Sequence, residues 1–232
     1  MSASATATAQ LPEYAEQLIR SRRATRAFRP DPVPEDTLRA VFTLAGAAPS
    51  NSNTQPWHVE VVSGEARNRL GKDLVAAHMD QRMSLDFPYR NDLYTGTYEQ
   101  RRRAAGAAMY GALGIGRDDH ERREAFNAES LNFYGAPHVA LLFLPPNAEE
   151  RMAADVGMYA QTLLLAMAAH GIASCPQGLL SFYADTIRES LGLNSDRKIL
   201  FGVSFGYADT SAPINNITVP RAELHETTRF HS

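Results

Sequence analysis

The chain has 232 residues, 44% of them hydrophobic, which is enough to bury a sizeable core in a single domain. Charged residues make up 21% and leave a net charge of -3, which argues against a general nucleic-acid binder, since that needs a basic footprint. One cysteine, Cys175, excludes a disulfide framework within the chain and fits a reducing, cytoplasmic setting, and no apolar run approaches the ~18 residues that indicate a membrane span.

Residues 1–12 are rich in Ala, Ser and Thr, with neither a basic n-region nor an apolar h-region, and read as a disordered lead instead of a secretory signal. Helical character starts near Tyr14 and runs to Arg22. Pro32-Val-Pro-Glu35 opens a second helix, which places Leu38, Val41, Phe42 and Ala45 on one face and stops at Pro49. A polar loop over Ser50–Pro56 leads into a strand over Trp57–Val62 and a helix from Gly64 to about Met79.

The stretch 84–97 is irregular and rich in Tyr, Asp and Pro. Helices follow near Tyr98–Leu113 and Asp118–Leu131, and then a buried strand over His138–Leu144. Arg151–His170 is apolar nearly all round and predicts a central helix. A short strand over Ile172–Cys175, a helix over Ser181–Leu191 and a strand over Ile199–Phe205 complete the body. About four strands against roughly seven helices point to an α+β architecture, a small sheet flanked by helices. The chain reads as one domain over 13–208. The aperiodic extension 209–232 has too little core to fold alone and is expected to lie along a partner.

Several familiar signals fail on spacing. Gly111, Gly114 and Gly116 have the wrong order for a dinucleotide turn and end a helix instead of following a strand. There is no P-loop and no G-x-S-x-G elbow, and the seven histidines lack metal-ligand spacing, so no metal is expected. Cys175 reads as a buried strand-end residue before it reads as a nucleophile.

Three segments carry positive chemistry. Arg22-Arg23-Ala24-Thr25-Arg26 concentrates guanidinium forks suited to phosphate oxygens, although a basic cluster alone also describes a solvated surface. Ala48-Pro49-Ser50-Asn51-Ser52-Asn53-Thr54-Gln55-Pro56-Trp57 is dense in short hydrogen-bonding side chains, and alone it also reads as a capped turn. Gly171-Ile-Ala-Ser-Cys-Pro-Gln-Gly178 ends a buried strand with a glycine that lets a flat ligand approach the backbone, or simply connects strand to helix.

In order and spacing, these segments, together with Asp155-x-Gly157 and Phe205-Gly-Tyr207, resemble the FMN-dependent nitroreductase family from about Leu18 to Phe230. The resemblance implies a nitroreductase-like sandwich with a small, mostly antiparallel sheet. It also implies an intimate homodimer with FMN at the interface and a C-terminal extension exchanged with the partner subunit. On that pattern Arg22, Arg23, Ala24 and Arg26 hold the phosphate and the pyrimidine side of FMN, and Arg221 reaches the phosphate from the tail. Pro49, Ser50, Asn51 and Asn53 contact FMN from the other subunit, and Pro176, Gln177 and Gly178 run beside the isoalloxazine. Ala24 stands where many members have serine, and Asp155 where some have glutamine.

The segment 84–117, with Tyr89, Tyr94, Tyr98 and Tyr110, resembles a nitrobenzoate and nitroaromatic reductase branch, in which these tyrosines face substrate; packing beneath a surface loop is the alternative. The implied activity is ping-pong reduction of nitroaromatics by NADPH or NADH, with no catalytic side chain required. Flavin reduction, enone reduction, reductive dehalogenation and non-catalytic flavin binding are the alternatives on the same scaffold.

Overall fold

The computed structural model describes residues 2–193 and 196–232. In chain order the elements are α1 (Ser2–Ser21), α2 (Glu35–Ala45), β1 (His58–Ser63), α3 (Gly64–Met79), α4 (Thr97–Ala112) and α5 (His120–Leu131). They continue with β2 (His138–Leu144), α6 (Glu150–Ala169), β3 (Ala173–Gln177), α7 (Ala184–Leu191), β4 (Lys198–Gly206) and α8 (Leu224–Thr227). The strands form one sheet in the order β1-β2-β4-β3, and every pair is antiparallel.

The continuous apolar run of β2 follows from its position. All seven of its residues are buried. Ala140, Leu142 and Leu144 face a core built with α2 and α6, where Val41, Leu163 and Met167 also lie. Val139, Leu141 and Phe143 face the opposite core, with Leu70 and Leu74 of α3 and Ile187 of α7. A strand covered on both faces has no reason to alternate polar and apolar residues. The pairing of β2 with β4 slips between Leu142 and Phe143, a bulge that bends the sheet where it carries the longest strand.

Sequence punctuation sets the ends. Pro34 precedes α2, whose first turn holds Glu35 and Asp36 at the positive end of the helix dipole. Gly192 ends α7 in the left-handed region at φ 63°, a conformation glycine adopts without strain.

The expectation of a disordered lead is corrected over residues 2–12: the backbone of α1 is helical from Ser2, and residue 1 lies outside the described residues. Four alternating alanines before Gln10 supply the helix propensity that a reading for polarity overlooked. Pro12 sits inside this helix, where it lacks one backbone donor. α7 also starts later than expected, at Ala184, because Gly178–Phe182 forms a 3-10 turn.

Among the described residues one helix, α6, is long and apolar enough to cross a membrane by length and composition. Val156, Leu163, Leu164 and Met167 on one side of it are buried against the sheet core.

Candidate functional site

The segment after α1 runs along the outer edge of β3. Thr25 N–H donates to the Ser174 carbonyl at 2.9 Å, and Ala24 bridges Ser174. The C-terminal tail crosses the same region. Asn215 ties it down: its Oδ1 accepts from Arg26 N–H at 2.7 Å, while its Nδ2 donates to the carbonyls of Ala27 at 2.9 Å and Asp209 at 2.8 Å. One short amide thus brackets two segments almost two hundred positions apart.

Between these elements lies a hollow of about 760 Å³, within the range of small-molecule and cofactor sites. Arg22, Arg23, Ala24, Arg26, Pro176 and Arg221 all line it, so six of the positions expected around the cofactor converge. Among the described residues no carboxylate pairs with Arg22, Arg23, Arg26 or Arg221. The side-chain acceptors of three of them are neutral backbone or hydroxyl oxygens: Arg23 donates to the Ile217 carbonyl at 3.4 Å and Thr218 Oγ1 at 3.3 Å, Arg26 to the Ala24 carbonyl at 3.3 Å, and Arg221 to the Val219 carbonyl at 2.8 Å. A cluster of uncompensated guanidinium groups repels itself, and an anion with several oxygens relieves the repulsion. The donor set fits a phosphate monoester on a flat heterocycle such as FMN.

The strand at the floor of the hollow is at the edge of the sheet, which is why Pro176 is tolerated within it: its missing N–H faces away from β4, on the side where the bridge from Ala24 reaches only Ser174. Side chains alternate there. Pro176 and Gly178 are exposed, whereas Cys175 and Gln177 are buried. The Gln177 side chain does not line the hollow; its amide points into the core and is hydrogen-bonded to Ser130 and Ser204, which leaves the backbone of the segment as what it can offer a ligand. Burial pushes the Cys175 thiol up to about 11, against the opposing pull of Arg26 and Arg22, so it remains a protonated thiol. Tyr134, next to this group, is likewise pushed up, first by burial and then by Cys175, while Ser130 and Arg26 pull it down.

Pro49, Ser50, Asn51 and Asn53 lie apart from the hollow, held by α6. Asn51 N–H donates to Oδ1 of the buried Asp155 at 3.0 Å, and Trp57 stacks on Tyr159 with ring centroids 4.9 Å apart. Asp155 and Tyr159 are four apart on one helix face, so a single face pins both ends of the loop. Within it Ser50 Oγ accepts from Gln55 N–H at 3.0 Å. Ser52, Asn53 and Gln55 adopt φ of 51°, 56° and 48°, and three left-handed non-glycine residues in four positions store strain in a shape their surroundings must hold.

None of the four tyrosines expected to face substrate lines the hollow. Tyr89 packs on Phe182 at 5.0 Å, Tyr94 lies under Arg102 at 5.1 Å, and Tyr110 lies under Arg123 at 4.2 Å and against Phe126. Tyr98 is exposed at the start of α4. From this segment it is Ala105 that reaches the hollow, with Arg101 of the same helix paired to Glu226 of the tail at 3.1 Å. Sequence reasoning missed Gln161 of α6, Ala105 and the 215–219 stretch, because these reach the hollow only through long-range packing. The turn signal Pro213-Ile-Asn-Asn216 was the available hint. Among the described residues no three His, Cys, Asp or Glu side chains gather as a metal site requires.

Residues 19–207 match the Nitroreductase family. The chain is 62% identical over 223 residues to nitroreductase NfnB of Mycolicibacterium smegmatis, covering 96% of this chain and 95% of that protein. It is 32% identical to a 4-nitrobenzoate reductase of Pseudomonas putida, over 93% of this chain and 94% of that one. Among solved structures, the FMN-dependent NfnB of Mycobacterium smegmatis in complex with NADPH superposes with a TM-score of 0.94, covering 96% of this chain and 100% of that one at 62% identity. The FMN- and NADPH-dependent NfnB of sphigopyxis sp. strain HMH superposes with a TM-score of 0.91 at 34% identity, covering 94% of this chain and 99% of that one.

Proposed function

The chain belongs to the nitroreductase family, and from that premise we propose that it is an FMN-dependent oxidoreductase that uses NADPH to reduce nitroaromatic compounds as a homodimer. The observation that carries this reading is the set of arginines without carboxylate partners beside the exposed edge of β3. Bound FMN supplies two-electron transfer between the nicotinamide and the nitro group.

The protein's own residues bind, orient and compensate charge. Arg22 and Arg221 hold the phosphate, each through charge-assisted bonds worth about 1.5–3 kcal/mol. Arg26, fixed through its backbone by Asn215, places a cation against the pyrimidine side, where negative charge must be offset on reduction. The backbone of Pro176–Gly178 lies along the ring system, and the exposed, side-chain-free Gly178 permits close approach. No His, Asp or Glu lines the hollow among the described residues, so protons for the reduced product come from water. Donor and acceptor occupy the same space in turn, a ping-pong scheme that needs no second nucleotide fold.

The homodimer has its own support. α6 is apolar nearly all round, yet only one side is covered within the chain, and Met158 is left 39% exposed. In the tail, Leu224 is 62% and Phe230 85% exposed, which suits an extension that packs on a neighbouring subunit. The 49–53 loop, held on α6, then reaches the cofactor of that neighbour, and 13–208 forms one FMN-binding domain. A buried, unpaired Cys175 accords with a reducing cytoplasm.

The test is an anaerobic titration of the purified protein. The visible flavin band should bleach with NADPH and return on addition of 4-nitrobenzoate or nitrobenzene, with consumption of the nitro compound. A flavin band that NADPH does not bleach marks a flavin-binding protein without turnover. A band that bleaches but returns only with free flavin, an enone or a halogenated acceptor marks one of the alternative reductases.

A further inference from the structure

Gln177 lies on the strand that floors the cofactor hollow but turns its side chain away from it. Its relative exposure is 5%, whereas its neighbours Pro176 and Gly178 are exposed. The buried amide uses both donors and one acceptor site. Nε2 donates to the Ser130 carbonyl at 2.7 Å and to Ser130 Oγ at 3.0 Å, and Oε1 accepts from Ser204 Oγ. Ser130 stands in the last turn of α5, where carbonyls lack partners within the helix, and Ser204 is on β4. One side chain thus ties β3 to a helix end and to the adjacent strand.

This anchorage bears on function through alternation. In an extended strand the direction of one side chain fixes the orientation of the peptide groups on either side of it. Holding the Gln177 amide therefore fixes the backbone that presents Pro176 to the hollow and leaves Gly178 exposed next to it. β3 needs such a hold: β4 pairs it on one side, and a single bridge to Ala24 supports the other. Ser130 also faces the Tyr134 phenol, which interacts with Arg26, so the network extends to a second wall of the hollow.

Taking the FMN reading as given, we propose that Gln177 is a positioning residue. Its amide, held by Ser130 and Ser204, sets the Pro176–Gly178 backbone against the flavin and so tunes both flavin affinity and reduction potential, without touching the cofactor.

The chemistry of the network selects the variants. Gln177→Glu is close in shape but places an oxygen opposite the Ser130 carbonyl, where a donor is required, and leaves a buried charge without compensation. Gln177→Met keeps the approximate volume and removes every hydrogen bond. Ser204→Ala removes only one bond and preserves the packing. Each apoprotein is titrated with FMN, and the midpoint potential of bound FMN is measured in reconstituted protein alongside Tm and far-UV circular dichroism.

The expected result is a rise in FMN Kd of about tenfold or more for Gln177→Glu and Gln177→Met. The flavin potential should move by about 30 mV or more, the equivalent of a tenfold change in preference between the two redox states. Ser204→Ala, which stays folded, should move both quantities in the same direction by a smaller amount, which keeps the proposal testable if the Gln177 variants unfold. Folded variants, Ser204→Ala included, with wild-type FMN affinity and potential would overturn the positioning role alone. A wild-type protein that takes up no FMN would overturn the reading of the site, and the positioning role with it.

Discussion

Replacing Arg22 with alanine separates phosphate recognition from everything else the hollow does. Arg22 is half-buried, lines the hollow, and pairs with no carboxylate among the described residues, so its truncation orphans no internal acid. A charge-assisted bond to phosphate is worth about 1.5–3 kcal/mol, which corresponds to roughly 10- to 150-fold in Kd. Solvent screening at this partly open site favours the lower end of that range. The assay is fluorescence titration of the apoprotein with two ligands, FMN and riboflavin, which share the ring system and differ in the phosphate. Arg22→Ala should weaken FMN binding by about tenfold or more and leave riboflavin nearly unchanged. The wild-type preference for FMN should fall with added salt, and the variant's residual preference should fall less. Equal losses for both ligands would mean that Arg22 supports the fold or the ring site; no loss for FMN would mean that the phosphate lies elsewhere. Either result refutes the reasoning.

His138 sets a pH dependence of stability. Val33 N–H donates to its Nε2 at 2.9 Å, so the ring carries its proton on Nδ1, which faces Ser63 Oγ at 2.5 Å; burial lowers its affinity for a second proton. The stability held by this neutral ring is full above the ordinary histidine value of about 6.5 and drains as pH falls below it, by at most ~1.4 kcal/mol per pH unit. Urea unfolding at a series of pH values should show this slope, and His138→Gln should flatten it. Gly202→Ala should destabilise by about 1–3 kcal/mol in the same assay, because the added Cβ would meet Leu180 Cδ1 at 2.4 Å and Leu141 Cδ2 at 3.3 Å, both on fully buried side chains. Asp155→Ala, which frees the Asn51 N–H, should weaken FMN binding, and Asp155→Asn, which keeps an acceptor, should restore it in a flavin titration. Truncation before Thr210 removes Asn215 and Arg221 and should yield monomers that hold no FMN, read by sedimentation with visible absorbance.

Elements with continuous local signals were legible in the sequence. β2 begins and ends at His138 and Leu144 as its apolar run predicts, and the face of α2 carries the expected Val41 and Ala45 into the core. β3 extends past the proline that reads as its end, since an edge position excuses the missing donor, a fact of sheet order that local sequence does not carry. In the hollow, Arg22, Arg26 and Arg221 were identifiable by residue type and by family pattern together. Asn215 was not: an asparagine in an aperiodic tail has many uses, and this one is defined by Arg26 and Ala27, which the fold brings to it. For Gln177 the sequence carries the position beside the hollow but not the side-chain partners, because Ser130 and Ser204 come from α5 and β4 and meet it only in the fold. The tyrosines of 84–117 are legible as aromatic residues, but their contacts with Arg102, Arg123 and Phe182 are set by the fold and do not show in the local sequence.

The account rests on a site that two chains complete around FMN. Sedimentation velocity of the FMN-reconstituted protein, recorded together in the ultraviolet and in the visible flavin band, tests it most directly. The account predicts one boundary at the mass of two chains, carrying one FMN per chain. Flavin that sediments with a single chain, or a two-chain particle without absorbance in the visible after reconstitution, would contradict it.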